Sequence, residues 1–126
     1  GKRPLVVSYA SSPAAEVFYS KAKLTTAPTV SLTLKGGVFQ QVEGVALVKG
    51  GGQVEAAGRF IEFLRSGPVQ QALQTTVWMW PATPGTPRAD ALQHAPEPTT
   101  FDNPTPAAMA QHSSAWVARW TKVVLK

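Results

Sequence analysis

The sequence contains no cysteine, and it contains two histidines among 126 residues. Without cysteine there are no disulfides, no thiolate nucleophiles and no thiolate metal ligands. His94 and His112 have neither a carboxylate nor a second histidine at the spacing of metal ligands. The sequence therefore predicts no metal site.

Long apolar runs are also absent. A membrane-spanning helix needs about 20 consecutive apolar residues. The first apolar run, residues 5–7, ends at Ser8 and Tyr9, which is too early for a membrane span or for the apolar region of a secretory signal. We expect any targeting segment to lie outside this chain.

The usual arrangements of catalytic residues are missing. Ser8, Ser11 and Ser12 precede a predicted helix but lack the Gly-x-Ser-x-Gly turn that presents a nucleophile. The glycines at 50–52 lack the spacing of a phosphate-binding loop. No paired carboxylates stand out, so we do not expect an enzyme.

Acidic residues are few, with 7 Asp and Glu against 12 Lys and Arg, and the net charge is +5. A nucleic-acid-binding surface normally clusters its basic residues on one face. Here they are scattered from Lys2 to Lys126, which favours a solvated surface and no nucleic-acid partner. A basic nucleic-acid-binding module remains the alternative from a different class.

What is present indicates an α/β fold. Three apolar or alternating segments, residues 5–9, 30–34 and 42–48, predict β-strands. Helices are predicted after Ser11, over 57–64, from Pro68 to Leu73 and from Thr105 onward, with a proline-rich loop at 81–106. In that loop Trp80, Leu92 and Phe101 should act as apolar anchors. The last helix is expected to bury one stripe, formed by Met109, Trp116, Val117, Trp120, Val123 and Val124.

Five residues are candidates for contact with a small molecule. Tyr9 ends a predicted strand, where open α/β sheets place their ligands, and Ser11 and Ser12 follow with hydroxyls at a helix start. Trp78 precedes the proline-rich loop, and together with Tyr9 it could offer an aromatic wall to a cationic ring. Glu43 could supply a counter-charge. Packing in a core for Trp78, and an exposed carboxylate for Glu43, are the alternatives.

The blocks that carry these candidates resemble a known family. Residues 7–14, Val-Ser-Tyr-Ala-Ser-Ser-Pro-Ala, are similar to the Ser-Tyr-x-x-Ser-Pro-Ala segment of periplasmic thiamine-binding proteins. The Gln-Val-Glu at 41–43, the helical block at 57–73, the Thr-Val-Trp-Met-Trp-Pro at 76–81 and the spacing over 105–120 resemble further family elements in the same order. The resemblance thus extends over nearly the whole chain.

The resemblance implies a partial type 2 periplasmic-binding fold, representing the C-terminal part of a longer, two-lobed, exported protein. Residues 1–34 and 81–126 would belong to the C-terminal lobe, and 35–80 would pack on the N-terminal lobe; alternatively, residues 1–126 behave as one folded unit. Such proteins carry thiamine as a transported ligand, use no cofactor and deliver it to an ABC permease in the membrane. Lacking its N-terminal part, this chain could form a homodimer or a swapped assembly.

Three departures from the family pattern bear on the ligand. Val77 stands where the family has asparagine, Trp80 where it has tyrosine, and the glycines at 50–52 replace a polar turn. Another small cationic or metal-chelate solute is therefore an alternative to thiamine. Adjacent tyrosines, which the related iron-binding branch uses, are absent near Tyr9, and this argues against ferric iron.

Overall fold

The structure is a computed structural model that describes residues 4–125. Its regular elements are α1 (Ser12–Tyr19), α2 (Val54–Arg65), α3 (Gly67–Thr76), a short 3-10 helix (Asp90–His94) and α4 (Pro106–Val124). Lys2, Arg3 and Lys126, counted above among the scattered basic residues, lie outside the described residues. Within residues 4–125 no helix is long and apolar enough to cross a membrane.

The four predicted helices are confirmed, and local sequence explains where they begin. Pro13 and Pro68 occupy the first turns of α1 and α3, where a missing N–H costs no intrahelical bond. The hydroxyl oxygen of Thr105 accepts a hydrogen bond from the Ala108 N–H at 3.2 Å, which caps α4.

The three predicted strands are wrong for the described chain. Residues 5–9, 30–34 and 42–48 run without strand pairing, and between residues 4 and 125 no β-strand is present. The physical reason is that an apolar, β-prone segment becomes a strand only when a neighbouring strand accepts its backbone hydrogen bonds. The α/β prediction is therefore confirmed in its helices alone.

Contacts divide the chain into two compact units. The first unit, which we call the core unit, comprises Gly1–Thr33 and Val42–Thr99, and its description starts at Pro4. The second, the α4 unit, comprises Leu34–Gln41 and Thr100–Lys126, and its description ends at Leu125. The lobe assignments made from the resemblance concern a two-lobed protein, and they stay a prediction.

The core unit is centred on three buried apolar residues, Ala14, Leu92 and Ala95, with Trp78 and Trp80 packed against them. Leu92 and Trp80 thereby act as the predicted anchors of the proline-rich loop. The third predicted anchor, Phe101, is 39% exposed. The 3-10 helix packs on α1, which brings Leu92 next to Ala14.

Two buried glutamines of α3 hold the proline-rich loop in place. Gln70 donates to the Leu64 carbonyl at 2.8 Å and accepts from the Ala82 N–H at 2.8 Å. Gln74 donates to the Pro87 carbonyl and accepts from the Ala89 N–H, both at 2.8 Å. Gln70 thus links the end of α2 to the loop, and Gln74 satisfies loop backbone groups that no secondary structure pairs.

In the α4 unit, the segment before α4 is tied to residues 34–41. The Asn103 side chain accepts from the Gln40 N–H and donates to the Gln40 carbonyl, both at 2.7 Å. The Asp102 N–H donates to the Val38 carbonyl, also at 2.7 Å. These three bonds resemble the pairing of two strands, except that the Asn103 side chain takes the place of backbone groups in two of them.

The buried stripe predicted for α4 is wrong. Met109 is half-buried, and the remaining members lie open, from 44% exposed at Trp116 to 65% at Val123. The apolar periodicity predicts the helix correctly. An apolar stripe, however, is buried only when another element packs on it. No residue of α4 is buried.

Candidate functional site

Trp78 has an unusual backbone conformation directly after α3. Its φ is +58°, in the left-handed region that glycine normally occupies at this position after a helix. Val77 closes the helix, its N–H donating to the Leu73 carbonyl at 3.1 Å. The chain therefore turns sharply at Trp78 and directs its indole back onto the core unit, where it packs beside the buried residues.

Trp78 belongs to an aromatic cluster with Phe18 and Tyr19, the last two residues of α1. The ring centroids of Trp78 and Phe18 are 5.4 Å apart, and those of Trp78 and Tyr19 are 5.7 Å apart, both edge-to-face. Phe18 and Tyr19 contact each other at 5.1 Å. The sequence reasoning missed Phe18 and Tyr19. The available signal was their position at the end of the helix that begins with the Ser-Pro-Ala block.

Tyr9 is not a member of this cluster, and it is 74% exposed. Its carbonyl accepts a hydrogen bond from the Ser12 N–H at 3.0 Å, in the turn that begins α1. No strand ends at Tyr9. The expectation that a ligand binds at the end of a sheet strand therefore does not apply to this residue. Its exposed phenol ring could still serve as a second aromatic surface.

The two candidate serines have different surroundings. The Ser12 hydroxyl is half-buried and lies 2.7 Å from that of Ser8. Ser11 is 2% exposed, and its carbonyl accepts from the N–H groups of Ala14 and Ala15. Ser12 is accessible to a ligand as it stands, whereas the Ser11 side chain faces the interior.

Glu43 lies in the segment 42–48, which forms no helix or strand, and is exposed. The structure places it outside the aromatic cluster. Its role as a counter-charge to a ligand stays a prediction from the sequence.

An open apolar groove of about 380 Å³ lies beside the aromatic cluster. Phe18 contributes to both, and Ala14, Val17 and Thr75 line the groove from α1 and α3, with Asp90 and His94 from the 3-10 helix. Its volume falls in the range of about 300–1,000 Å³ found for small-molecule sites. Among the described residues no group of three or more His, Asp or Glu could hold a metal ion.

The chain is similar to known proteins over nearly its whole length. The chain is 32% identical over 124 residues, 98% of its length, to the thiamine-binding periplasmic protein of Escherichia coli. The same identity and coverage hold for the thiamine-binding periplasmic protein of Salmonella typhimurium. That of Brucella melitensis is 28% identical over 121 residues. No family model and no solved structure matches the chain.

These relatives are named as binding proteins of the periplasm and not as enzymes. More particularly, they confirm the resemblance to the thiamine-binding periplasmic proteins that the sequence blocks predicted. The chain spans 36% of the length of the Escherichia coli and Salmonella relatives. This partial coverage is consistent with the predicted C-terminal part.

Proposed function

We propose that this chain contributes one wall of the ligand site of a periplasmic binding protein that carries thiamine or its phosphates to an ABC permease. Support comes from relatives with that ligand in their names, matched along 98% of the chain. A second support is the aromatic cluster around Trp78, because a thiazolium ring is cationic and flat. Such rings bind aromatic faces by stacking and cation–π attraction.

Within the molecule, the main support for the proposal is the backbone conformation of Trp78. A bulky residue with φ near +58° costs of order 1–3 kcal/mol, which glycine would avoid. Strain of this kind persists where the side chain has a use that the backbone alone does not supply. Here the strained turn holds the indole at the edge of the aromatic cluster, so the ring is oriented before a ligand arrives.

The other candidates would supply further contacts to the ligand. Tyr9 offers an open phenol ring as a second aromatic surface, and Ser12 offers a hydroxyl. Glu43 would balance the positive charge of the ligand. Ser11 would act through the geometry of the turn, since its carbonyl holds the first N–H groups of α1.

Calorimetry with thiamine on the full-length polypeptide that carries these residues tests the proposal. We expect binding, and we expect Trp78→Ala to weaken it by about tenfold or more, equivalent to about 1.4 kcal/mol. Trp116→Ala, an equally large truncation on α4, is the matched control and should leave affinity unchanged. Absence of heat at high micromolar thiamine in the folded wild-type protein would contradict the proposal.

The departures at Val77 and Trp80 favour one competing ligand class, a different small cationic or metal-chelate solute. A thermal-shift screen of such solutes on the wild type and on Tyr9→Ala separates the two. Stabilisation by thiamine that is reduced in Tyr9→Ala supports thiamine. Stabilisation by another cation, with none by thiamine, replaces it.

A further inference from the structure

Tyr19 is the last residue of α1, and its side chain reaches the end of α3, where the chain continues to Trp78. The helix α1 closes at this point, with the Ser20 N–H donating to the Val17 carbonyl at 3.2 Å. The ring centroids of Tyr19 and Trp78 are 5.7 Å apart, and the ring planes are 71° apart. The Tyr19 hydroxyl donates to the Thr75 carbonyl at 3.5 Å, one residue before α3 ends. One side chain therefore contacts both the last turn of α3 and the indole that follows it.

The backbone turn at Trp78 does not by itself fix the orientation of the indole. A φ of +58° sets the direction in which the side chain leaves the backbone, whereas the χ angles each keep more than one allowed value. Contacts with other side chains select among these values. The indole packs against the buried core, and the rings of Phe18 and Tyr19 also pack edge-to-face with it. Because edge-to-face pairs have preferred geometries, these two rings restrict how the indole can turn.

Phe18 and Tyr19 differ in their other contacts. Phe18 also lines the apolar groove, so its truncation would change the groove together with the aromatic cluster. Tyr19 does not line the groove, and it is 63% exposed. Truncation of an exposed side chain normally costs little stability. Tyr19 can therefore be changed to perturb Trp78 without altering the groove or the buried core.

We infer that Tyr19 is a positioning residue, whose ring holds the Trp78 indole in the orientation that meets the ligand. The inference rests on the proposed function, because it takes Trp78 as a ring that contacts the ligand. The aromatic ring of Tyr19 carries most of the effect, since a hydrogen bond of 3.5 Å is long and weak. Tyr19→Ala, which removes the ring, and Tyr19→Phe, which removes only the hydroxyl, should therefore differ.

A double-mutant cycle on the full-length polypeptide, with thiamine as the ligand in calorimetry, tests how Tyr19 acts. We expect Tyr19→Ala to weaken binding by about threefold to tenfold, the range expected from one edge-to-face contact. Tyr19→Phe should weaken it by less than about twofold, because the ring contact remains. In a Trp78→Ala background, Tyr19→Ala should weaken binding no further, because the indole through which Tyr19 acts is gone.

The orientation of the indole can be followed without any ligand, on the chain itself. Near-ultraviolet circular dichroism is recorded at the long-wavelength edge, where tryptophan absorbs and tyrosine does not. Tyr19→Ala should change this signal when Trp78 is present and leave it unchanged in the Trp78→Ala background. The comparison cancels the contributions of the other tryptophans. A general loosening of the fold would change the signal in both backgrounds.

Phe63→Ala is the matched control in both experiments. Phe63 is 58% exposed and stacks with Phe60 within α2, so its truncation also removes an exposed ring from an aromatic pair. We expect it to change neither the affinity for thiamine nor the tryptophan signal. Changes equal to those of Tyr19→Ala would overturn the inference, because they would not be specific to the contact with Trp78.

Three further outcomes distinguish the inference from the proposed function. Additive losses in the double-mutant cycle would overturn the inference, because Tyr19 would then act independently of Trp78. An affinity or a ligand-free spectrum that Tyr19→Ala leaves unchanged would also overturn it. Absence of thiamine binding by the folded wild-type protein contradicts the proposed function instead, and the ligand-free spectra then still decide whether Tyr19 orients Trp78.

Discussion

Residues 67–95 and residues 42–48 lie in the same compact unit, yet they differ in how far their contacts reach. In the first region the buried side chains find their partners within this chain: Gln74 bonds to Pro87 and Ala89 nearby in sequence, and Leu92 packs with Ala95 and with the distant Ala14. Residues 44–48 of the second region are all apolar or glycine, but the region forms no strand and remains exposed.

The difference shows which parts of the fold this chain completes by itself. A helix satisfies its own backbone, and a glutamine can bind a loop a dozen residues away. A strand, in contrast, needs a partner that can be far away in sequence. The same reasoning applies to α4, whose helix forms while its apolar stripe stays open.

The largest effect is expected for Gln74→Ala. The Gln74 side chain is 0% exposed, and its loss leaves the Pro87 carbonyl and the Ala89 N–H without their partner. We expect the free energy of unfolding to fall by about 3 kcal/mol, measured by urea unfolding. Gln93→Ala, on the exposed side of the 3-10 helix, is the control, with an expected change below about 0.5 kcal/mol. Equal effects of the two would remove the distinction between the regions.

A somewhat smaller loss is expected for Leu92→Ala. Leu92 is 5% exposed and is the largest of the three buried apolar residues. Its truncation should cost about 2 kcal/mol, at the low end for core leucines because the small core can partly collapse. Urea unfolding monitored by tryptophan fluorescence would follow it, since Trp78 and Trp80 pack on this core. A negligible change would mean that the core unit is not held by this cluster.

Thr105→Ala tests the start of α4. The mutation removes the hydroxyl that accepts from the Ala108 N–H, and we expect a loss of about 1 kcal/mol in helix stability. Far-ultraviolet circular dichroism during thermal unfolding measures it. Thr100→Ala, in the same unit but outside the helix, should have no comparable effect. If both variants lose helix equally, the cap is not what begins α4.

The smallest effect is expected for Val123→Ala on the open stripe of α4. Val123 is 65% exposed, so its truncation should change the free energy of unfolding by less than about 0.5 kcal/mol. Alanine also has the higher helix propensity, which offsets part of the lost contact. A loss as large as that of Leu92→Ala, in the same urea experiment, would show that the stripe is covered in solution.

Local sequence signals were sufficient to predict the helices. Pro13, Pro68 and Thr105 mark their first turns, and the helices begin where these residues predict. The strands and the buried stripe of α4 were wrong, because periodicity records what a segment can bury and not whether a partner is present. The candidate site followed the same rule. Trp78 was identified by its sequence block, whereas Phe18 and Tyr19 join it through contacts between α1 and the end of α3 that no local pattern encodes.

Hydrogen–deuterium exchange on the chain alone, resolved along the sequence, tests most directly the claim that one region is complete and the other is not. The account predicts strong protection for the amides of α3 from Gln70 onward and for Ala89, Leu92 and Ala95, whose N–H groups are hydrogen-bonded. It predicts exchange at the rate of an unstructured peptide for residues 44–47. Protection of residues 44–47 equal to that of α3 would contradict it.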